Sequence, residues 1–234
     1  TRTVKATVTI PEGFSIEQIA ARMASEGICT QDEFLEAVQD DNYDYAFLDS
    51  IPDGITVNYR LQGFLFPATY DVYEDTTPHD LVNMMLQKFD EVYDADMQNQ
   101  AQALGYSAFE VVTRASIVER EAKIDDERPL IAGVINNRLE QGMMLQMCPT
   151  VLYPITNGIY DKSEVTYDDL EIDSPYNTYK YTGLPVGPIC NPGEVSMQAV
   201  LNPAEHNYLY YHVDNEETGS HIFTETYEQH LETQ

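Results

Sequence analysis

The chain has 234 residues, 43% hydrophobic and 11% aromatic, and its 40 acidic against 12 basic side chains give a formal charge of -28. That apolar content supports one large domain, or one domain with a small module, and argues against wholesale disorder. So acidic a surface repels phosphates and no Lys/Arg cluster offsets it, which argues against nucleic-acid binding and leaves solubility as the plain reading of the charge.

Residues 4–10, VKATVTI, alternate as a strand does, and PEG at 11–13 is a turn. Ser15 with Gln18 has the form of a capping box and opens a helix running to Gly27. Thr30 with Glu33 repeats the box and predicts a second helix over 31–39. The acidic stretch 40–54 is a connection with a turn at Asp53-Gly54, and from 59 to 73 the texture is aromatic and strand-like. Pro78 starts a long helix over 78–97 with Leu81, Met84, Met85 and Phe89 in one stripe. Further helices are predicted over 107–123 and 127–140. The remainder is loop-rich until YLYYHVD at 208–214 and the terminal HIFTETYEQHLE.

Cys29, Cys148 and Cys190 lie far apart without CxxC spacing, so no zinc motif or disulfide framework is indicated. One disulfide with one free thiol, or three free thiols, both fit. No apolar run is long enough to span a membrane and no signal peptide is visible. The chain opens directly on a strand, and an upstream anchor or leader is expected to be missing from this stretch.

The segment ASIVEREAK, 115–123, carries two glutamates two positions apart. At about 100° per residue, Ala108, Val111, Val112, Ala115, Val118 and Ala122 share one face, with Glu119 near its middle. Glu121 falls almost opposite, beside Arg114 on the polar side. A carboxylate on an apolar face is held protonated, unless it pairs with a buried arginine, Arg138 being the candidate, or lies at the edge of the face. A protonated carboxyl near neutral pH is what cleavage of a glycosidic bond requires.

The runs ASIVEREA, VINNRLEQGMMLQ, PTVLY, SPYNTYKYTGLPVGPICNPG and HIFTETYEQH, in this order over roughly 60–230, resemble the YceG-like, MltG-type endolytic murein transglycosylases. The N-terminal strand, helix and helix with its VTIPEG opening resemble the LysM-like glycan-binding subdomain of that family. The resemblance implies an α+β fold in two parts, a LysM-like subdomain with its connection over 1–58 and a catalytic domain over 59–234. It implies an enzyme that cleaves peptidoglycan strands between N-acetylmuramic acid and N-acetylglucosamine, leaving a 1,6-anhydro end. Glu119 would be the catalytic acid and base, with no metal and no cofactor. One carboxylate suffices if the muramic C6 hydroxyl attacks C1 of its own ring, whereas a common hydrolase uses two. Ser116, Asn137, Arg138, Gln146, Asn177 and Tyr179 are the expected sugar-binding residues, with donors, acceptors and an aromatic face. Arg138 fits a salt-bridge partner equally well, and Asn177 or Thr178 fits a turn cap. His221 reads as structural, or as orienting a carboxylate or carbonyl. Pro185, Gly187, Pro188 and Gly193 shape a loop. The resemblance further implies attachment to the cell membrane by one N-terminal helix, a domain facing the extracytoplasmic side, and partnership with peptidoglycan synthases.

Three positions depart from the family pattern: Cys148 stands where an acid precedes Pro-Thr-Val, Gln62 where a Glu precedes the Gly-aromatic pair, and Val186 for a proline. Any effect of those two acids on the pKa of Glu119 is missing here. Cys148 is not expected to be a catalytic thiol, since no Cys-His arrangement is visible. The rival readings are a peptidoglycan-binding module without catalysis, a hydrolase on the same scaffold, and a scaffold protein of the growth machinery.

Overall fold

The computed structural model describes residues 1–234 and is α+β, with nine α-helices and two two-stranded sheets. Strand β1, Val4–Thr9, is followed by α1, Ile16–Ser25, and α2, Gln31–Val38. Both expected capping boxes form, Ser15 with Gln18 and Thr30 with Glu33. Each box satisfies two orphan backbone donors at a helix start, and so fixes where these short helices begin. Strand β2, Thr69–Tyr73, pairs antiparallel with β1, with Val8 opposite Tyr70. The strand–helix–helix unit therefore takes its second strand from beyond the 58/59 division. The rest of the strand-like stretch 59–68 is turn, because Gly63 at φ +101° and Pro67 interrupt it.

The long helix expected over 78–97 is two helices, α3, Pro78–Val92, and α4, Ala95–Leu104. Asp94 accepts from the Met97 amide and caps α4, an alternative that ends α3 one turn earlier. Of the predicted stripe Leu81, Met85 and Phe89 are buried and Met84 is half-buried, and Phe89 stacks on Tyr93 while meeting Phe47 at a tilt and Phe64 edge-on. Helices α5, Ala108–Glu121, and α6, Arg128–Glu140, follow, then α7, Pro149–Ile155, and α8, Glu194–Leu201. Strands β3, Tyr210–Asn215, and β4, Ser220–Thr224, form a hairpin, and α9, Tyr227–Glu232, closes the chain. No helix is long and apolar enough to cross a membrane.

Helix α5 is the axis of the larger part and packs against α4, α6, α7 and α8. A hydrophobic core of 44 buried residues runs without a break from Val8 in β1 to Leu201 in α8. The seam between the N-terminal unit and the rest is tied by Asn191, which is fully buried. Its amide donates to the Phe14 carbonyl and to Gln62, and its Oδ1 accepts from the amides of Gly63 and Leu65. All four bonding capacities of that side chain are used, so its burial carries little penalty and its removal would orphan the Gly63 and Leu65 amides.

Candidate functional site

Glu119 and Glu121 leave the last turn of α5 in different directions. The Glu119 side chain is 5% exposed. Its Oε2 accepts from Arg128 Nη1 at 2.9 Å and its Oε1 from the Gly193 amide at 2.8 Å. Arg128 also donates to Ser196 Oγ and to Asp125 Oδ1. The N-terminal unit packs directly over this pair. Gly13 sits at φ +86°, where a Cβ would come to 3.4 Å from Glu119 Cγ. Burial, and then the charge of Glu119, push the neighbouring Glu12 carboxyl up. Both oxygens of Glu119 are thus engaged by donors of the protein itself, a guanidinium and a backbone amide. Of the readings of its apolar position, the buried ion pair is the one that forms, and the partner is Arg128 rather than Arg138.

Glu121 was expected beside Arg114 on a solvent face. It opens instead into a cavity of about 230 Å³ together with Arg138, Gln146, Cys148, Tyr179 and Tyr211. Arg114 bonds Asn136 and lies over the Tyr106 ring. The reason is that α5 has no solvent face at this level. Thr113, Ser116 and Ile117 are as buried as Val111, Val112 and Val118. A single stripe was therefore the wrong template for a helix surrounded by neighbours. Burial pushes the Glu121 carboxyl up to about 7, against the Tyr211 hydroxyl and the Arg138 guanidinium, which both favour the charged form. Such a group is partly protonated at neutral pH and can donate a proton there.

That shift also has a stability consequence. Between about 4.5 and about 7 the folded chain keeps a proton that the unfolded chain has lost, so stability falls as pH rises through this window. Glu121→Gln removes the penalty. The variant is expected to be more stable than the parent at pH 8, by on the order of 3 kcal/mol, with the difference vanishing near pH 4. Denaturant unfolding at the two pH values checks it.

Three of the expected sugar-binding residues line the cavity. Arg138 is anchored by its Nε to the Leu209 carbonyl and by Nη1 to those of Met144 and Leu145. Gln146 has φ +52°, a left-handed conformation that a non-glycine residue holds only when its surroundings impose it. Tyr179 meets Cys148, hydroxyl to sulfur, at 3.3 Å. The other three lie elsewhere. Asn137 donates to the carbonyls of His206 and Tyr208, and Asn177 to those of Leu170 and Ile172. Ser116 donates to the Thr113 carbonyl and accepts from the Ile189 amide. All three are ties between segments, the usual work of a buried polar side chain.

The substitutions at 62 and 148 differ in reach. Gln62 is buried away from the cavity, where it accepts from the Ile16 amide and donates to Glu17 and Tyr153. Cys148 faces Glu121 across the cavity, with its thiol pushed up first by burial. All three cysteines are free. No group of three His, Cys, Asp or Glu side chains converges as a metal-ligand set.

The scaffold is thus α+β, with one carboxylate, Glu121, in a polar, aromatic-lined cavity. The YceG-like family profile matches residues 1–234, and the chain belongs to that family. It is 36% identical over 234 residues to an endolytic murein transglycosylase of Bacillus subtilis (strain 168), covering 95% of this chain and 62% of the relative. It is 35% identical over 227 residues to an endolytic murein transglycosylase of Streptococcus pneumoniae, covering 90% of this chain and 41% of the relative. The chain thus spans less than two thirds of the curated relatives it matches. A crystal structure of a YceG-like protein from Listeria monocytogenes superposes with a TM-score of 0.86 at 35% identity, covering 99% of this chain and 77% of that one.

Proposed function

We propose that this chain is an endolytic peptidoglycan lytic transglycosylase, and that Glu121 rather than Glu119 is its acid. The carrying observation is that Glu121 is the one carboxylate lining the cavity, with its pKa raised to about 7. Relatives named endolytic murein transglycosylase support the substrate. Glu121 protonates the glycosidic oxygen between N-acetylmuramic acid and N-acetylglucosamine, and the bond to C1 breaks. Arg138 and the Tyr211 hydroxyl steady the carboxylate that results. The muramic C6 hydroxyl then closes on C1 to give the 1,6-anhydro end, so no second carboxylate is needed to activate water. Gln146 and Tyr179 bind the sugar beside it. The N-terminal unit serves as a LysM-like glycan-binding subdomain. The whole protein is held to the cell membrane by an N-terminal helix, faces the extracytoplasmic side and trims strands beside peptidoglycan synthases.

Mass spectrometry of purified peptidoglycan digested with this chain tests the reading. Anhydro-ended fragments are expected from the parent and none from Glu121→Gln. Reducing ends would make the protein a hydrolase, and bound but uncut strands a binding module. Restoring an acid at the other departure gives a further expectation. Cys148→Asp places a second negative charge by Glu121, raises its pKa, and is expected to move the alkaline limb of the pH–rate profile upward. An unmoved limb would mean the two side chains do not sense each other.

A further inference from the structure

His221 lies on the wall of the same cavity, in β4, and its side chain is 6% exposed. Its Nδ1 lies 2.8 Å from Glu127 Oε1, and its backbone amide donates to Glu127 Oε2 at 3.0 Å. One carboxylate therefore fixes both the ring and the strand that carries it. A carboxylate only accepts, so the hydrogen of the neutral imidazole resides on Nδ1. The lone pair of Nε2 is then left free, and Nε2 makes no hydrogen bond within the protein and is not among its sealed polar atoms. Tyr211 bridges the two halves of the site. Its ring meets the His221 ring edge-on at 5.3 Å and 87°, while its hydroxyl faces Glu121. The hairpin explains the arrangement: Tyr211 opposes Phe223, so Tyr211 and His221 are diagonal neighbours on one face. An oriented imidazole backed by a carboxylate is the arrangement by which a hydroxyl is commonly activated.

We propose that His221, held by Glu127, is a second proton-transfer group of this cavity: the base for the sugar hydroxyl that attacks the anomeric carbon. The assignment rests on Glu121 being the acid. As the C1–O4 bond breaks, O4 takes the proton of Glu121. As O6 bonds to C1, the O6 proton passes to His221 Nε2, forming an imidazolium faced by the Glu127 carboxylate. Transfer of that proton to Glu121, through solvent, restores both groups, and no external oxidant, reductant or nucleophile enters. The division of labour gives each group one proton to handle per turnover: Glu121 gives one to O4 and His221 takes one from O6.

The test is the product ratio from purified peptidoglycan strands digested with the full chain. His221→Gln is expected to lower the rate of anhydro-end release by about 10²-fold or more. It is also expected to raise the share of reducing ends, because water competes better for C1 when the C6 hydroxyl lacks its base. Imidazole added to His221→Ala is expected to restore part of the anhydro product. Glu127→Gln, which keeps an acceptor for the ring but loses the charge facing an imidazolium, is expected to shift the ratio the same way by a smaller factor. A slower His221→Gln with an unchanged product ratio and no imidazole rescue would overturn the proposal and leave His221 a structural residue. So would full activity of His221→Gln beside an inactive Glu121→Gln. An active Glu121→Gln would instead overturn the acid assignment on which the proposal stands.

Discussion

Glu121→Gln is expected to reduce the release of anhydro-ended fragments by about 10³-fold, within the range typical of losing a positioned general acid. The amide matches the carboxyl in size, so the cavity keeps its shape. What disappears is the proton for the leaving oxygen and the charge that Arg138 and Tyr211 face. The variant is also expected to be the more stable protein at pH 8, so its inactivity will not be attributable to unfolding. A site that holds a carboxyl against its preferred ionisation stores instability for function, and relieving it trades activity for stability. Glu119→Gln provides the contrast. It weakens a tie between helices and lowers activity only as far as it loosens the fold. Equal catalytic loss from both variants with both folds intact would break this assignment.

Arg128→Met is expected to be the most destabilising single change near the site, by about 3–5 kcal/mol, which for a chain of this length lowers Tm by roughly 10 °C. The pair is nearly sealed, with side-chain exposures of 9% for Arg128 and 5% for Glu119. Removing the guanidinium leaves a buried charge with the Gly193 amide as its remaining partner. Replacing both, as Arg128→Met with Glu119→Leu, is expected to recover much of the loss, because the penalty lies in the unpaired charge and not in the absence of the pair. Thermal melts of the single and double variants separate the two. A loss under about 1 kcal/mol in the single variant would mean that water reaches the pair and screens it.

Much of the fold was legible because it was written in local chemistry. Capping boxes at Ser15 and Thr30 fixed two helix starts, and Pro78 and the stripe through Leu81, Met85 and Phe89 fixed the start and buried face of α3. The break at Tyr93–Asp94 was missed because a capping aspartate inside a long polar run looks like one more solvent residue. The site was harder. Helical phase separated Glu119 from Glu121 correctly and then assigned them the wrong neighbours. Phase tells which residues share a face; it does not tell what covers the opposite one. Ile117, one turn before Glu121, was the available signal that the second side was also buried. Asn137, Asn177 and Ser116 were legible as polar residues in motifs, but a motif that ties backbone segments together reads the same as one that grips sugar. Tyr211 and Glu127 could not be placed from the sequence, since a hairpin register and a packing contact between distant segments bring them to the cavity.

The Asn191 tie sets an order on the birth of the molecule. Strand β1 is made before β2 and cannot find it until Tyr73 has followed. The seam that seats Phe14, Gly63 and Leu65 stays open until Asn191 arrives, roughly ten seconds later at ordinary rates of synthesis. Until then the N-terminal unit has an unsealed flank, and Glu12 and Gly13 have nothing to rest on, since Glu119 and Gly193 are still to be placed. Final closure is therefore a late event of long-range contacts, completed by the same loop that supplies the Gly193 amide to Glu119.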